Sequence, residues 1–301
     1  MLEARAFEPE FLKRLDRLAL GIKRARTSRS GQRALGRVQG IGIELENFKD
    51  YVAGDDLRFL DWNALARLDS LYTKSYRAER EIEISVLVDT SASMTVPADD
   101  DKTGLAWALG AALAYLAMSE NDAVRLVAFG AAHGSELLQA TEFHRRREVY
   151  PRLKPFVMET ARGGATRLEE AIERLLSRRR QPGMVIVISD FLVPPLEYEN
   201  ALTRLVAARN EVKAVQVMGE RESAAQFPEG SVRIRDSESG ELREINFGPD
   251  SAAAYRGKLK ELRDRLREFC NSHSITYCLA EGAQNLDDII TREFPRLGLV
   301  R

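Results

Sequence analysis

From about Glu81 to the end of the chain, short β-branched runs alternate with segments of helical periodicity. This alternation leaves few folds open. Strands separated by helices pair side by side and in parallel, with the helices covering both faces of the sheet. Ile84–Val88 is the first such run, and its apolar character marks a buried strand. A helix over Lys102–Ser119 follows, with Leu105, Leu109, Ala112, Leu113 and Leu116 at helical spacing. Alanines fill much of the remainder, so this helix is expected close against the sheet. Val124–Phe129 then leads through a turn at Gly130–Gly134 to Glu136–Leu138, a hairpin to an antiparallel edge strand. Helix Arg146–Val157, the pair Gly163-Gly164, helix Arg167–Arg179 and strand Gly183–Asp190 come next. Helix Glu197–Ala208, strand Val212–Met218, the amphipathic helix Ala252–Asn271, strand Ile275–Leu279 and helix Leu286–Phe294 complete the series. The expected fold is α/β: a doubly wound, mostly parallel sheet with one antiparallel edge strand. Ser231–Phe247 stands outside the alternation as an inserted β-hairpin turning at Ser239-Gly240.

The 301 residues suggest about two domains. Residues 1–80 form a separate N-terminal extension and residues 81–301 the α/β domain. The extension opens with one amphipathic helix carrying Phe11, Leu15, Leu18 and Ile22 on one face. With 45 basic and 46 acidic residues, no global field draws the chain to nucleic acid or to anionic lipid. Residues 23–37 are an exception: six Lys and Arg and no acid, either a solvated loop or an arm for an acidic partner. Cys270 and Cys278 read as ordinary reduced cysteines of a cytoplasmic protein. No window approaches the ~20 apolar residues of a membrane helix, and Met1–Glu10 lacks a signal-peptide pattern.

The chemistry concentrates behind two strands. Asp89-Thr90-Ser91-Ala92-Ser93-Met94 leaves the first strand, and Asp190 ends the fourth, counting the hairpin strand. In a sheet of order 3-2-1-4-5-6 those strands are neighbours at the point where the order reverses, where a crevice opens. Thr166 precedes the helix leading into the fourth strand, so its hydroxyl can reach the same crevice. Carboxylate and hydroxyl oxygens are hard ligands, suited to Mg²⁺ or Mn²⁺ and not to zinc. Duller readings stand beside this one. Thr166-Arg167-Leu168-Glu169 is a capping box, Asp190 can be a strand-end turn acid, and the Asp89 segment can be a plain turn. His133, His144 and His273 have no ligand spacing.

Asp89-x-Ser91-x-Ser93, with Thr166 and Asp190 downstream, resembles the metal-ion-dependent adhesion site of von Willebrand factor A domains. That resemblance covers residues 81 to about 300. It implies Mg²⁺ held directly by the hydroxyls and by the aspartates largely through water, with a partner's carboxylate completing the shell. A second resemblance covers residues 40–94. Tyr51-Val52-Ala53-Gly54-Asp55-Asp56-Leu57-Arg58, then Asp61-Trp62, Ala66-Arg67, Glu79 and Glu81, stand upstream of the Asp89 motif. This is similar to the bacterial family known as domain of unknown function fifty-eight. The resemblance implies an adaptor or co-chaperone working with a MoxR-type AAA+ ATPase and a client protein, in a short form without membrane helices. Association with a membrane-bound complex stays open, as does the oligomeric state. Around Trp62, the charges of Asp55, Asp56, Asp61, Arg58 and Arg67 read as a structural cluster or as a partner surface, and the tryptophan as a packing anchor.

No enzymatic activity is expected. A Mg²⁺-dependent phosphohydrolase of haloacid-dehalogenase type would also place an acid behind the first strand. It needs a second acid two residues later, where this chain has Ser91, and no lysine stands out to complete such a site. Nucleic-acid binding through the basic arm is the third reading.

Overall fold

The structure, a computed structural model, describes residues 2–18, 39–52, 55–57, 60–68, 70–77, 83–130, 137–178, 181–224, 230–235, 241–282 and 286–293. The basic arm, the Gly130–Gly134 turn beyond its first residue and the Ser239-Gly240 turn lie outside them. The chain forms two compact units, Met1–Ala25 with Ile82–Arg301, and Arg26–Glu81. Two short helices, α1 (Leu2–Arg5) and α2 (residues 9–18), open the first unit.

In the second unit, β1 (Gln39–Asp50) precedes α3 (Trp62–Leu68) and pairs antiparallel with β2 (Tyr72–Arg77). Asp61 caps α3, its Oδ1 accepting the Ala64 N–H at 3.3 Å. Asp55 Oδ2 accepts the Val52 N–H at 3.2 Å, closing a local turn. Trp62 is not the packing anchor that its neighbourhood suggested. It is 63% exposed, and among the described residues of this unit it is Leu60, bridged to Thr73 on β2, that is apolar and buried.

The sheet of the first unit is built as the alternation requires. It comprises β3 (Glu83–Asp89), β4 (Ala123–Phe129), β5 (Leu138–Ala140), β6 (Met184–Ser189), β7 (Glu211–Met218) and β10 (Thr276–Glu281). Between β7 and β10 lies the separate hairpin of β8 (Gly230–Arg235) and β9 (Leu242–Phe247). The spatial order is β10-β7-β6-β3-β4-β5. All pairings are parallel except β4 with the short edge strand β5. Counted along the chain this is the expected 3-2-1-4-5-6 order, with the reversal between β3 and β6. Successive residues of β3 serve opposite faces. Val86 and Val88 join one apolar cluster and Leu87 the other.

Helix α4 (Lys102–Ser119) covers the first face. It is apolar all round and buried along almost its whole length, as a helix enclosed on every side must be. A Cβ at Gly110 would lie 3.1 Å from Val88 Cγ2, so glycine sets how closely the helix approaches the sheet. Between β5 and α5 (Leu153–Glu159) the expected helix starts as a 3-10 turn, Arg147–Arg152, because Pro151 cannot donate a backbone hydrogen bond. Helices α6 (Leu168–Ser177), α7 (Pro195–Ala207) and α9 (Pro249–Ser272) cover the second face, with α8 (Glu220–Ala224) short and peripheral. A turn at α10 (Leu286–Asp288) continues into a π-helical turn at Ile289–Glu293.

The expected boundary at residue 80 moves for residues 2–18, which pack with the sheet. Burial is the reason. Ala6, Phe11 and Leu15 sit in the same core as α4, Phe7 stacks on Tyr150, and the Tyr150 hydroxyl donates to the Ala6 carbonyl at 3.0 Å.

Candidate metal centre

Asp89 closes β3 and Asp190 follows β6, its parallel neighbour, so both carboxylates stand at the carboxyl edge where the strand order reverses. Both are fully buried. Asp89 Oδ1 accepts the Ser91 N–H at 2.9 Å and Oδ2 accepts the Ser189 hydroxyl at 2.6 Å. Asp190 Oδ1 accepts the Leu192 N–H at 3.1 Å, and Oδ2 accepts from the Lys102 ammonium at 3.1 Å. The Ser91 and Ser93 hydroxyls lie 3.1 Å apart. Gly163 donates its N–H to the Thr90 carbonyl at 2.7 Å, and Ala92 donates to the Gly164 carbonyl at 2.9 Å. These two bonds lay the segment that ends in buried Thr166 along the Asp89 turn. Gly163 and Gly164 both have positive φ, 121° and 79°, which explains the glycine pair.

Three loops at this edge turn through a non-glycine residue in the left-handed region: Asp101 (φ 42°), Arg167 (φ 44°) and Phe191 (φ 54°). Each directly precedes Lys102 or directly follows Thr166 or Asp190. Strain of this kind persists only where the surroundings hold it. The left-handed Arg167 also removes the capping-box reading of Thr166. A Thr166 cap needs Arg167 inside the helix, but α6 starts at Leu168, whose N–H is taken up by Glu197 Oε1 at 2.8 Å.

Burial, followed by the facing Asp190 carboxylate, pushes the Asp89 carboxyl up to about 7, against hydrogen bonds from Ser189 and Ser91 that pull it down. Burial alone would lower the Lys102 ammonium, but Asp190 and Glu222 outweigh it and its pKa rises. Glu222 is raised by burial despite Lys102.

Among the described residues, no group of three or more His, Cys, Asp or Glu stands together as a metal site. Any ion here must be held largely by hydroxyls, and the geometry suits that. Two neighbouring ligands of an octahedral ion with bonds of about 2.1 Å are separated by about 3.0 Å. The Ser91–Ser93 hydroxyl pair matches this spacing. Both oxygens of each aspartate already accept a hydrogen bond, which favours contact with an ion through water.

The turn has no room for change beside it. A Cβ at Gly130 would lie 3.0 Å from Ser91 N and 3.2 Å from Asp89 Oδ1, at a φ of 88°. Gly130→Ala is therefore expected to lose about 1–2 kcal/mol from the backbone conformation alone and more from displacing the turn. Urea denaturation checks this, and a variant within about 0.5 kcal/mol of wild type would show the turn to be looser than described.

Residues 47–265 match the family described as "Protein of unknown function DUF58". The chain belongs to the DUF58 family. It is similar to Uncharacterized protein Mb1516 of Mycobacterium bovis and Uncharacterized protein Rv1480 of Mycobacterium tuberculosis. Each is 31% identical over 252 residues, 83% of this chain and 78% of the relative. Among solved structures it is similar to BatB from Bacteroides thetaiotaomicron, at 16% identity and a TM-score of 0.40, over 72% of this chain and 98% of that one. Similarity to the pilus adhesin SpaC from Lactobacillus rhamnosus GG, in its open conformation, reaches a TM-score of 0.45 at 12% identity, over 73% of this chain and 30% of that one.

Lys102, Ser189 and Glu222 of this DUF58 chain were not visible as site residues in the sequence. A signal for Lys102 did exist. It is the sole charge in α4 and sits in the first turn, where the helix dipole disfavours a cation. A lone lysine in that place needs a carboxylate partner, and the strand ends are where one stands. Ser189 and Glu222 carry no comparable mark.

Proposed function

We propose that this protein is a divalent-cation-dependent protein-binding module that acts as an adaptor or co-chaperone of a MoxR-type AAA+ ATPase in the cytoplasm. The observation that carries the reading is the Ser91–Ser93 hydroxyl pair, 3.1 Å apart, next to two buried aspartates at the reversal of the sheet. Ser91, Ser93 and Thr166 would hold Mg²⁺ or Mn²⁺ directly, with Asp89 and Asp190 behind water. The ion would supply a positive centre with an open position for a carboxylate of the partner or client. Ser93 is the ligand best placed to meet a partner, because it is partly exposed while Ser91 is buried. The ATPase half of the reading comes from the family resemblance. Among the described residues, no helix is long and apolar enough to cross a membrane.

A catalytic role is not part of this proposal. Asp89, with its carboxyl pushed up to about 7 and both oxygens engaged, is a poor nucleophile. One observation does favour the phosphohydrolase alternative: Lys102 supplies the buried lysine that the sequence did not reveal. Ser91 still stands where that chemistry needs an acid.

Calorimetric titration with Mn²⁺ tests the ion. Wild type is expected to bind one ion per chain, and Ser93→Ala to bind it at least about tenfold more weakly with its melting temperature unchanged. Capture of the ATPase should fall when EDTA replaces Mg²⁺. Equal capture in EDTA would remove the metal from the mechanism, and phosphomonoester turnover that disappears in Asp89→Asn would replace the adaptor with an enzyme.

A further inference from the structure

The most unusual group near the candidate ion is a cation of the protein's own. Lys102 is 1% exposed, and its ammonium lies 3.1 Å from Asp190 Oδ2 and 3.0 Å from Glu222 Oε2. Glu222 belongs to α8, which is fastened to the chain just before Lys102. Asp100 accepts the Arg221 and Glu222 N–H groups, each at 3.1 Å. Gly219, ahead of α8, packs so tightly that a Cβ there would lie 1.9 Å from Asp100 Oδ2. Tyr255 on α9 is pushed up to about 12 by burial and then by the charges of Glu222, Asp190 and Asp100. One ammonium thus joins the strand-end aspartate, α8 and the turn that follows the Asp89 motif.

Charge makes the consequence definite. Asp89, Asp100, Asp190 and Glu222 are four buried carboxylates with one buried cation, Lys102, among them. Each ionised carboxylate removed from water must be compensated. A divalent ion would do much of this at Asp89 and Asp190, but only while bound. We propose that Lys102 is the internal counter-ion that keeps this carboxylate cluster folded when no metal is present, holding Asp190 in place and α8 against the sheet. The inference rests on the metal reading for what happens on ion binding, and on the lysine's own contacts for what happens without it. Lys102 is in this sense a positioning residue that acts through Asp190.

The test is the melting temperature of wild type, Lys102→Met and Lys102→Met/Glu222→Gln in EDTA and in Mg²⁺, with a Mn²⁺ titration of wild type alongside. Removing one partner of a buried pair leaves the others uncompensated. Lys102→Met is therefore expected to melt roughly 10 °C below wild type in EDTA. Mg²⁺ should raise the variant by more than it raises wild type, because the ion then supplies the missing charge. The double variant, with one carboxylate fewer to balance, should recover part of the loss in EDTA, and it serves as the test if the single variant does not fold. A double variant no more stable than the single one would make the lysine a packing residue and overturn the proposal. So would a single variant that melts like wild type in EDTA. Absence of Mn²⁺ binding to wild type would sink the metal reading while leaving the comparison in EDTA to decide the role of Lys102.

Discussion

Asp89→Asn is expected to raise the stability of the metal-free protein and to abolish its response to Mg²⁺. In the folded chain the Asp89 carboxyl is pushed up to about 7, against an ordinary value of 3.8. The folded state therefore holds this proton more tightly than the unfolded one. Stability falls as pH rises from about 4 to about 7 and stays at its lower value beyond that. Above that window the buried charge costs about 4 kcal/mol, as an upper bound. Asparagine carries no charge, but it returns less than that amount, because its amide nitrogen cannot accept from the Ser189 hydroxyl as Oδ2 does. A net gain of about 2 kcal/mol corresponds to roughly 5 °C in a domain of this size. The gain should be visible in EDTA at pH 8 and shrink towards pH 5. In Mg²⁺ the wild type should rise in melting temperature and the variant should not move. A variant less stable than wild type in EDTA at pH 8 would mean that Asp89 is held charged by something other than an ion. A gain without the ion together with a lost response to it marks a residue kept for binding at the expense of stability.

Deleting residues 2–18 is expected to cost more. Phe11 and Leu15 are 1% and 2% exposed, and each buried side chain of this size contributes about 1.5–3 kcal/mol. The deletion also bares Tyr150 and the outer side of α4, and it removes the Arg162–Glu3 ion pair at 2.7 Å, whose carboxylate is buried. A loss of about 5 kcal/mol or more follows, roughly 10–20 °C in melting temperature. A truncated protein that melts within about 3 °C of the full chain would show that these helices are a loose attachment and not part of the core.

The sheet was legible because its strands announce themselves. Val86-Leu87-Val88 and Met184–Ile188 are apolar on both faces, which only a central parallel strand can use, and once they are placed the chain order leaves little choice of neighbours. The N-terminal helices were misassigned for an opposite reason. Phe11 and Leu15 show an apolar face, but a face does not name what covers it, and the covering helix begins 87 residues beyond Leu15, as Lys102 follows in number. Trp62 illustrates the same limit: a large apolar residue among charges reads as an anchor, yet it stands in solvent. At the site, side-chain type and spacing revealed the aspartates and hydroxyls. The ammonium on Asp190 depends on the turn at Asp101, a left-handed residue that no periodicity predicts.

The way residues 2–18 are bound also orders events during synthesis. Arg14 reaches Asp287 at 3.0 Å, a partner 273 positions later in the chain. Asp16 meets Arg147, and Phe7 meets Tyr150. These two helices are made before α4 and Tyr150, the surface on which Phe7, Phe11 and Leu15 pack, and so have no docking surface until those residues have been made. At about 5–20 residues per second, that is a wait of roughly 7–27 s between Leu15 and Tyr150 with Phe11 and Leu15 uncovered. The segment that completes this part of the core is made before the surface that receives it. This makes the nascent chain, more than the finished protein, a substrate for chaperones that bind short apolar helices.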